Sequence, residues 1–295
     1  MKSFLKREDL VELDKTFQMV PLTLDFMFKN IFTDDLDILK EFLILETGLR
    51  LNPDSTKITI LNGELPKENY KEYKKTVDIY ISLNDKICIN VELNNGPFNE
   101  VTSLRNELYA SKLFSLMLEK GENARKLKNK QFIQLNLNTK DLTIEHGDDV
   151  LVTYGLKSKK VYIKNKRTIL KYLAFYREKY YTLGEKLSNA DLWLVVILSE
   201  NLVELYDLLG NLLTDLKRDK FIRKVIKMSE DNFILSLWEK EKMDELKELA
   251  IIEDGRQEKQ KEIVINMYKN GLTIDLIKKC VGLTEEEIEK IISLN

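Results

Sequence analysis

The chain has 295 residues, 43% hydrophobic and 33% charged, with four prolines, eleven glycines and a net charge of −2. That length supports one full core and an appended domain, with little left for disordered linkers. A single histidine, His146 in the turn-like stretch EHGDD, excludes a multi-histidine metal site and argues against Ser-His-Asp or Cys-His catalysis.

In chain order, the stretch MKSFLKREDLVELDK lacks the apolar core of a signal peptide. Helical spacing predicts a helix from Leu24 to Thr47, ending at Gly48, and a strand follows near Lys57 to Leu61. The stretch from Lys75 to Asn94, KTVDIYISLNDKICINVELN, then alternates with period two. Val77, Ile79, Ile81, Leu83, Ile87, Ile89, Val91 and Leu93 fall on one face, and Asp78, Tyr80, Ser82, Cys88, Asn90, Glu92 and Asn94 on the other.

Opposed residues of an antiparallel pair point the same way, so the two apolar sets coincide only across an odd-length loop. A three-residue loop Asn84-Asp85-Lys86 pairs Leu83 with Ile87 and sets Asp78 opposite Glu92. Their Cβ atoms are then about 5 Å apart. Like charges across a ladder want a counter-cation, and two oxygen ligands at that spacing suit Mg²⁺ or Mn²⁺. Asn94 stands on the same face as a neutral amide. The same pattern is equally that of a solvated sheet face carrying two surface acids.

Further along come a helix from Asn99 to Lys120, a strand from Gln131 to Asn138, and a strand from Val150 to Tyr154. On the first, Arg105 and Tyr109 share a face at i and i+4 and reach towards phosphate, or pack the helix on the sheet. The span from Arg105 to Lys179 holds seventeen Lys/Arg against eight Asp/Glu, a local +9 that leaves −11 for the remainder. It includes RKLKNK and KSKKVYIKNKR. Such asymmetry is the electrostatic footprint of a phosphate backbone, or ordinary solvation of a lysine-rich surface.

An Asp, a strand-to-strand interval and then Glu-x-Asn resembles the signature of the PD-(D/E)XK nuclease superfamily. The stretches LTLDFMFKNIF, VDIYI, NVELNN and RNELYASKLFSLMLEKGENARKLKNKQFIQLNLN follow one another in the order of its branch of nuclease-family transposases and recombination-promoting nucleases. The resemblance covers roughly the first half. It implies an α/β fold, a restriction-endonuclease-like mixed sheet flanked by helices, followed by an all-helical C-terminal extension.

It also implies a divalent-metal-dependent DNA endonuclease of mobile-element or recombination-promoting type. Asp78 and Glu92 would be the metal ligands, Asn94 the third helper, and Mg²⁺ or Mn²⁺ the cofactor. The superfamily usually has Lys in the place of Asn94, and this branch commonly Gln. Asn keeps an amide able to orient water or a phosphate oxygen, but not the charge of Lys. The alternative is therefore a nuclease-fold protein that has lost catalysis and acts as a DNA-binding or protein-interaction module. Asp25 is a further acid near the site, or a solvated helix residue.

From about Lys166 the apolar residues recur at helical intervals, as in TILKYLAFYREKYY, LWLVVILSENLVELYDLL and FIRKVIKMS. The run LWLVVIL is too short to span a bilayer. The charged run from Trp238 to Glu262 reads as a solvated helix or connector. The tail NGLTIDLIKKCVGLTEEEIEKIISLN reads as two short helices around Gly282, the second opened by a capping box at Thr284. It is helix-turn-helix-like, but Glu285, Glu286 and Glu287 would repel phosphate, which favours docking over DNA reading.

The expected division is a nuclease core over 1–165, a helical extension over 166–254 and a tail over 255–295. No Gly-rich nucleotide loop is present, and Cys88 and Cys280, far apart, read as reduced thiols of a cytoplasmic protein. DNA is the expected partner, and a homodimer would ease cleavage of both strands of a duplex.

Overall fold

Six strands, β1 (Ile58–Ile60), β2 (Ile79–Leu83), β3 (Ile87–Asn94), β4 (Gln131–Asn138), β5 (Asp148–Leu151) and β6 (Lys166–Tyr172), form one sheet in the order β1-β2-β3-β4-β6-β5 in the computed structural model. The structure describes residues 4–64, 76–96, 99–118, 121–140, 146–184 and 186–293. The sheet is mixed. β3, β4 and β6 run parallel at its centre, while β1, β2 and β5 pair antiparallel towards its edges.

The hairpin register is the one its parity requires, from Leu83 opposite Ile87 to Ile79 opposite Val91. Asn84 and Asp85 both take left-handed conformations, φ 51° and 55°, which Asn and Asp tolerate better than most residues. The Lys86 N–H closes the turn on the Leu83 carbonyl at 3.1 Å. Asn84 Oδ1 also accepts from the Lys57 N–H at 2.8 Å, fixing the start of β1.

Both faces of the central strands are covered. The odd-numbered residues Ile79, Ile81, Ile89, Val91, Ile133 and Leu135 are buried, and so are the even-numbered Asn90, Glu92, Asn94, Gln134, Asn136 and Asn138. The polar face is thus not a solvated one. Helix α4 (Glu100–Leu116) lies over it, packed on Tyr80 and Phe132, and buried polar atoms there must find partners within the protein.

The helices α1 (Arg7–Leu13), α2 (Asp25–Asp34) and α3 (Leu36–Thr47) precede the sheet, and α4 (Glu100–Leu116) connects β3 to β4. The single helix expected from Leu24 to Thr47 is therefore two. Asp35 breaks it by taking an extended conformation, and its carboxylate accepts from the N–H groups of Asp37 and Ile38 to cap α3. Gly48 ends α3 at φ 63°, as the sequence predicts. Asn99 caps α4, and Ala110, Leu113 and Met117 pack its inner side with Tyr80 and Phe132.

After β6 come α5 (Leu173–Tyr181), α6 (Asn189–Ile197), α7 (Leu202–Leu209) and α8 (Asp215–Ser229). Phe32 is the hub that joins them to the N-terminal helices. Its ring centroid lies 4.9 Å from Phe28, 5.0 Å from Phe42, 6.0 Å from Trp193 and 6.3 Å from Phe221. The acid Glu46, buried near the end of α3, faces Lys171 Nζ at 3.5 Å, and burial pushes its carboxyl up to about 8.

The strand expected from Val150 to Tyr154 lies at Asp148–Leu151, and the start of the expected helical extension differs more. Residues 166–172 of the stretch expected to be helical form β6, which pairs with both β4 and β5. In a short apolar run helix and strand periods cannot be separated, and a strand covered on both faces loses its alternation. The chain divides into Met1–Ile234 and Leu235–Asn295, so the boundary expected at 165/166 cuts through the first unit, whose sheet needs β6.

The boundary expected at Asp254-Gly255 falls inside α9 (Asn232–Lys269), a continuous helix of 38 residues. The second unit closes with α10 (Ile274–Val281) and α11 (Glu285–Ser293) around buried Val264, Ile277 and Ile288. The expected capping box is formed. The Thr284 N–H donates to Glu287 at 2.8 Å and the Glu287 N–H to Thr284 Oγ1 at 3.4 Å. Among the described residues no helix is long and apolar enough to cross a membrane.

Candidate active site

Asp78 lies one residue before β2, and the hairpin register continued by one step sets it opposite Glu92. Its Oδ2 accepts the Leu93 N–H at 2.8 Å, which ties the carboxylate to the middle of the Glu92-Leu93-Asn94 run. Its Oδ1 pairs with Lys29 Nζ at 3.1 Å. The lysine reaches it because Phe28 and Phe32, on either side in α2, are buried in the aromatic core and fix the rotation of that helix.

Glu92 is 6% exposed. Burial, then the facing charge of Asp78, pushes its carboxyl up to about 8, against the partial relief given by Asn90, Arg105 and Lys29. Its Oε1 accepts from Asn90 Nδ2 at 3.0 Å. Among the described residues no third Asp, Glu, His or Cys joins Asp78 and Glu92 in a metal-binding group. Two carboxylates whose mutual repulsion raises a pKa fit a divalent cation of oxygen preference. Mg²⁺ and Mn²⁺ take few protein carboxylates and fill their remaining positions with water or substrate oxygens.

Asn94 is 3% exposed, and its amide makes three hydrogen bonds to protein groups. Its Nδ2 donates to Asn138 Oδ1 at 2.9 Å, and its Oδ1 accepts from Arg105 at 2.9 Å and from Asn106 at 3.3 Å. Arg105 is therefore held at the acid end of β3 through the amide of Asn94. A ladder of amides runs beneath it across the parallel strands. Asn90 donates to Gln134 at 2.9 Å, and Gln134 donates to Asn136 at 2.7 Å. The atoms Asn90 Oδ1, Asn106 Oδ1 and Asn138 Nδ2 are buried without a hydrogen-bond partner, so the ladder keeps polar capacity beside the two carboxylates.

Asp78, Glu92, Asn94 and Arg105 are thus brought together. Tyr109 is not among them: its ring packs against the cluster of Val77, Tyr80, Leu113 and Phe132. Asp25 is exposed in the first turn of α2, where an acid complements the helix dipole. Lys29, one turn further on, is the α2 residue that meets the acids, and it was not singled out from the sequence. Its signal was present in the Phe-Lys-x-x-Phe stretch, whose two phenylalanines face the core and leave the lysine directed elsewhere. The amides of β4 were also missed as site residues, although QFIQLNLN alternates amides with apolar residues.

A mixed sheet whose central strand ends in Glu-x-Asn, faced by an Asp at the entry to the preceding strand, defines a nuclease-type α/β fold. The chain belongs to the PD-(D/E)XK nuclease family transposases, whose family model matches residues 22–257. No curated protein and no solved structure matches it.

Proposed function

We propose that the protein is a divalent-metal-dependent endonuclease that hydrolyses DNA phosphodiesters, of mobile-element or recombination-promoting type. The observation that carries this reading is the meeting of Asp78 with a buried Glu92 whose carboxyl is pushed up to about 8. A buried Glu92 facing Asp78 resists ionisation unless a cation accompanies it. Asp78 and Glu92 would hold Mg²⁺ or Mn²⁺, which when bound neutralises charge on the phosphoryl oxygens and lowers the pKa of water.

The chain's own residues supply the rest. Lys29 carries the positive charge that Asn94 lacks, and its Nζ is within reach of Asp78 and of an oxyanion beside it. Arg105 offers a guanidinium to a non-bridging phosphate oxygen while Asn94 holds its orientation. Glu92, under α4, sits where bulk water is excluded, which strengthens each of these charge interactions. The reading assigns a cytoplasmic protein, and a homodimer would present two such sites to the strands of one duplex.

One observation favours a second reading. Asn94 already makes three hydrogen bonds to protein groups, which leaves its amide little capacity to position water. A protein that keeps the fold and binds DNA without cutting it would show this. Plasmid DNA incubated with Mg²⁺, Mn²⁺ or EDTA separates the two. Metal-dependent nicking supports the nuclease, and DNA retention with no nicking under either metal overturns it in favour of a binding module.

A further inference from the structure

A concavity of about 800 Å³ opens at the other end of the central strands, and Lys86, Lys128, Lys130 and Lys164 line it together with the amides of Asn84 and Asn165. We infer that it is a phosphate-binding site that holds the nucleic-acid backbone away from the reacting acids. The inference rests on the proposed DNA substrate and adds a second point of contact to it.

Charge is the first support. No acid lines the concavity, and among the described residues none of these four lysines forms an ion pair with an acid. Neighbouring lysines are paired: Lys57 with Asp85, Lys126 with Glu122, Lys166 with Glu107, Lys171 with Asp148. The chain as a whole has slightly more acids than bases, so four lysines lining one concavity without an acid partner stand out. Their mutual repulsion is relieved by an anion, and phosphodiesters supply anions in series.

Rigidity is the second. The floor is the start of three parallel strands, bonded through the Gln131 N–H to the Lys86 carbonyl and the Phe132 N–H to the Asn165 carbonyl, each at 2.8 Å. Asn165 Nδ2 donates to the carbonyls of Leu127 and Lys130, and Lys130 Nζ to the Met117 carbonyl at 2.8 Å. The loop bearing Lys128 and Lys130 is thereby pinned to β6. A backbone fixed in this way sets the bases of the lysine side chains and lowers what must be ordered on binding.

Position is the third. Ile87 at the concavity and Glu92 at the acids are five residues apart on β3, about 17 Å at ~3.3 Å per residue. The concavity is thus separate from the acids by a length equal to roughly five base pairs of duplex. Next to Lys164, the exposed segment containing Tyr154, Lys159 and Tyr162 continues the basic surface with aromatic rings on which bases can stack.

The test is fluorescence anisotropy of a labelled 30-base-pair duplex in EDTA, so that cleavage plays no part, across 50–200 mM salt. The variants are the triple Lys86→Gln/Lys128→Gln/Lys164→Gln and the corresponding Arg triple. Three lost phosphate contacts lower the slope of log affinity against log salt by about 2.7, so wild type loses about 40-fold more affinity than the Gln triple over that range. The Arg triple keeps the wild-type slope. An unchanged slope and affinity in the Gln triple, or no binding of duplex by the wild type, overturns the inference.

Inorganic pyrophosphate, followed by thermal shift, separates a small-molecule site. Stabilisation of wild type but not of the Gln triple, with duplex affinity unchanged, reassigns the concavity to a free phosphorylated ligand. Failure of the nuclease reading is distinguishable from all of these. It appears as absent nicking with the salt-dependent binding intact.

Discussion

Replacing Glu92 with Gln should stabilise the metal-free protein at pH 8 while leaving it little changed at pH 5. The carboxyl of Glu92 is pushed from its ordinary 4.5 to about 8 in the folded chain, so the folded state binds this proton more tightly than the unfolded state does. Below pH 4.5 both states are protonated and Glu92 opposes nothing. Between 4.5 and about 8 the unfolded chain gains stability by ionising, and the native state loses about 1.4 kcal/mol per pH unit relative to it. Above that range the penalty is constant, on the order of 5 kcal/mol as an upper bound.

Gln keeps the oxygen that accepts from Asn90 and removes the charge that faces Asp78. Glu46, with its own carboxyl near 8, is common to both proteins and cancels in the difference. Urea unfolding in EDTA at pH 5, 6, 7 and 8 measures it. A stability gain for the variant that grows with pH is expected. A variant no more stable relative to wild type at pH 8 than at pH 5 would refute the account of Glu92. Adding Mg²⁺ at ten times its dissociation constant should then stabilise wild type by about 1.4 kcal/mol and the variant by less.

Two further perturbations test the supports of the site. Lys29→Gln should slow cleavage by about a hundredfold, as loss of a charged transition-state donor does, while duplex affinity in EDTA stays within about threefold; an equal loss of both would make Lys29 a binding residue only. Phe32→Ala removes the ring at the centre of the aromatic cluster and should lower stability by about 3–5 kcal/mol, read by urea unfolding. A change below about 1 kcal/mol would contradict the packing described for α2.

The hairpin was legible because its period-two pattern, its parity and its turn residues agree on one register, and that register brings Asp78 to Glu92 without reference to anything distant in sequence. What lies over the hairpin was not legible. The polar face of the hairpin, Asn90 included, allows a solvated reading because polar residues usually are solvated, and the amides Gln134, Asn136 and Asn138 of β4 carry no signal of where they point. All four are buried in a hydrogen-bonded ladder under α4, a pairing visible only once β3 and β4 are known to be parallel and in register.

Asp35 shows a second kind of limit. Apolar residues on both sides keep helical spacing, so the break between α2 and α3 depends on one carboxylate turning back to cap two N–H groups. β6 shows a third, since seven residues covered on both faces carry no alternation from which to tell strand from helix. Lys29 was hidden for a related reason: it meets Asp78 across 49 positions of sequence, and only the burial of Phe28 and Phe32 orients it.

The central claim is that Asp78 and Glu92 form a metal-dependent phosphodiester-cleaving site. Its most direct test is nicking of supercoiled plasmid by wild type and Glu92→Ala in Mg²⁺, Mn²⁺ and EDTA, with duplex binding measured on the same preparations. The account predicts nicking by wild type that needs metal, vanishes in EDTA and is lost in the variant, while DNA binding persists in both. Nicking that survives Glu92→Ala, or wild type that binds duplex and leaves the plasmid intact in either metal, would contradict it.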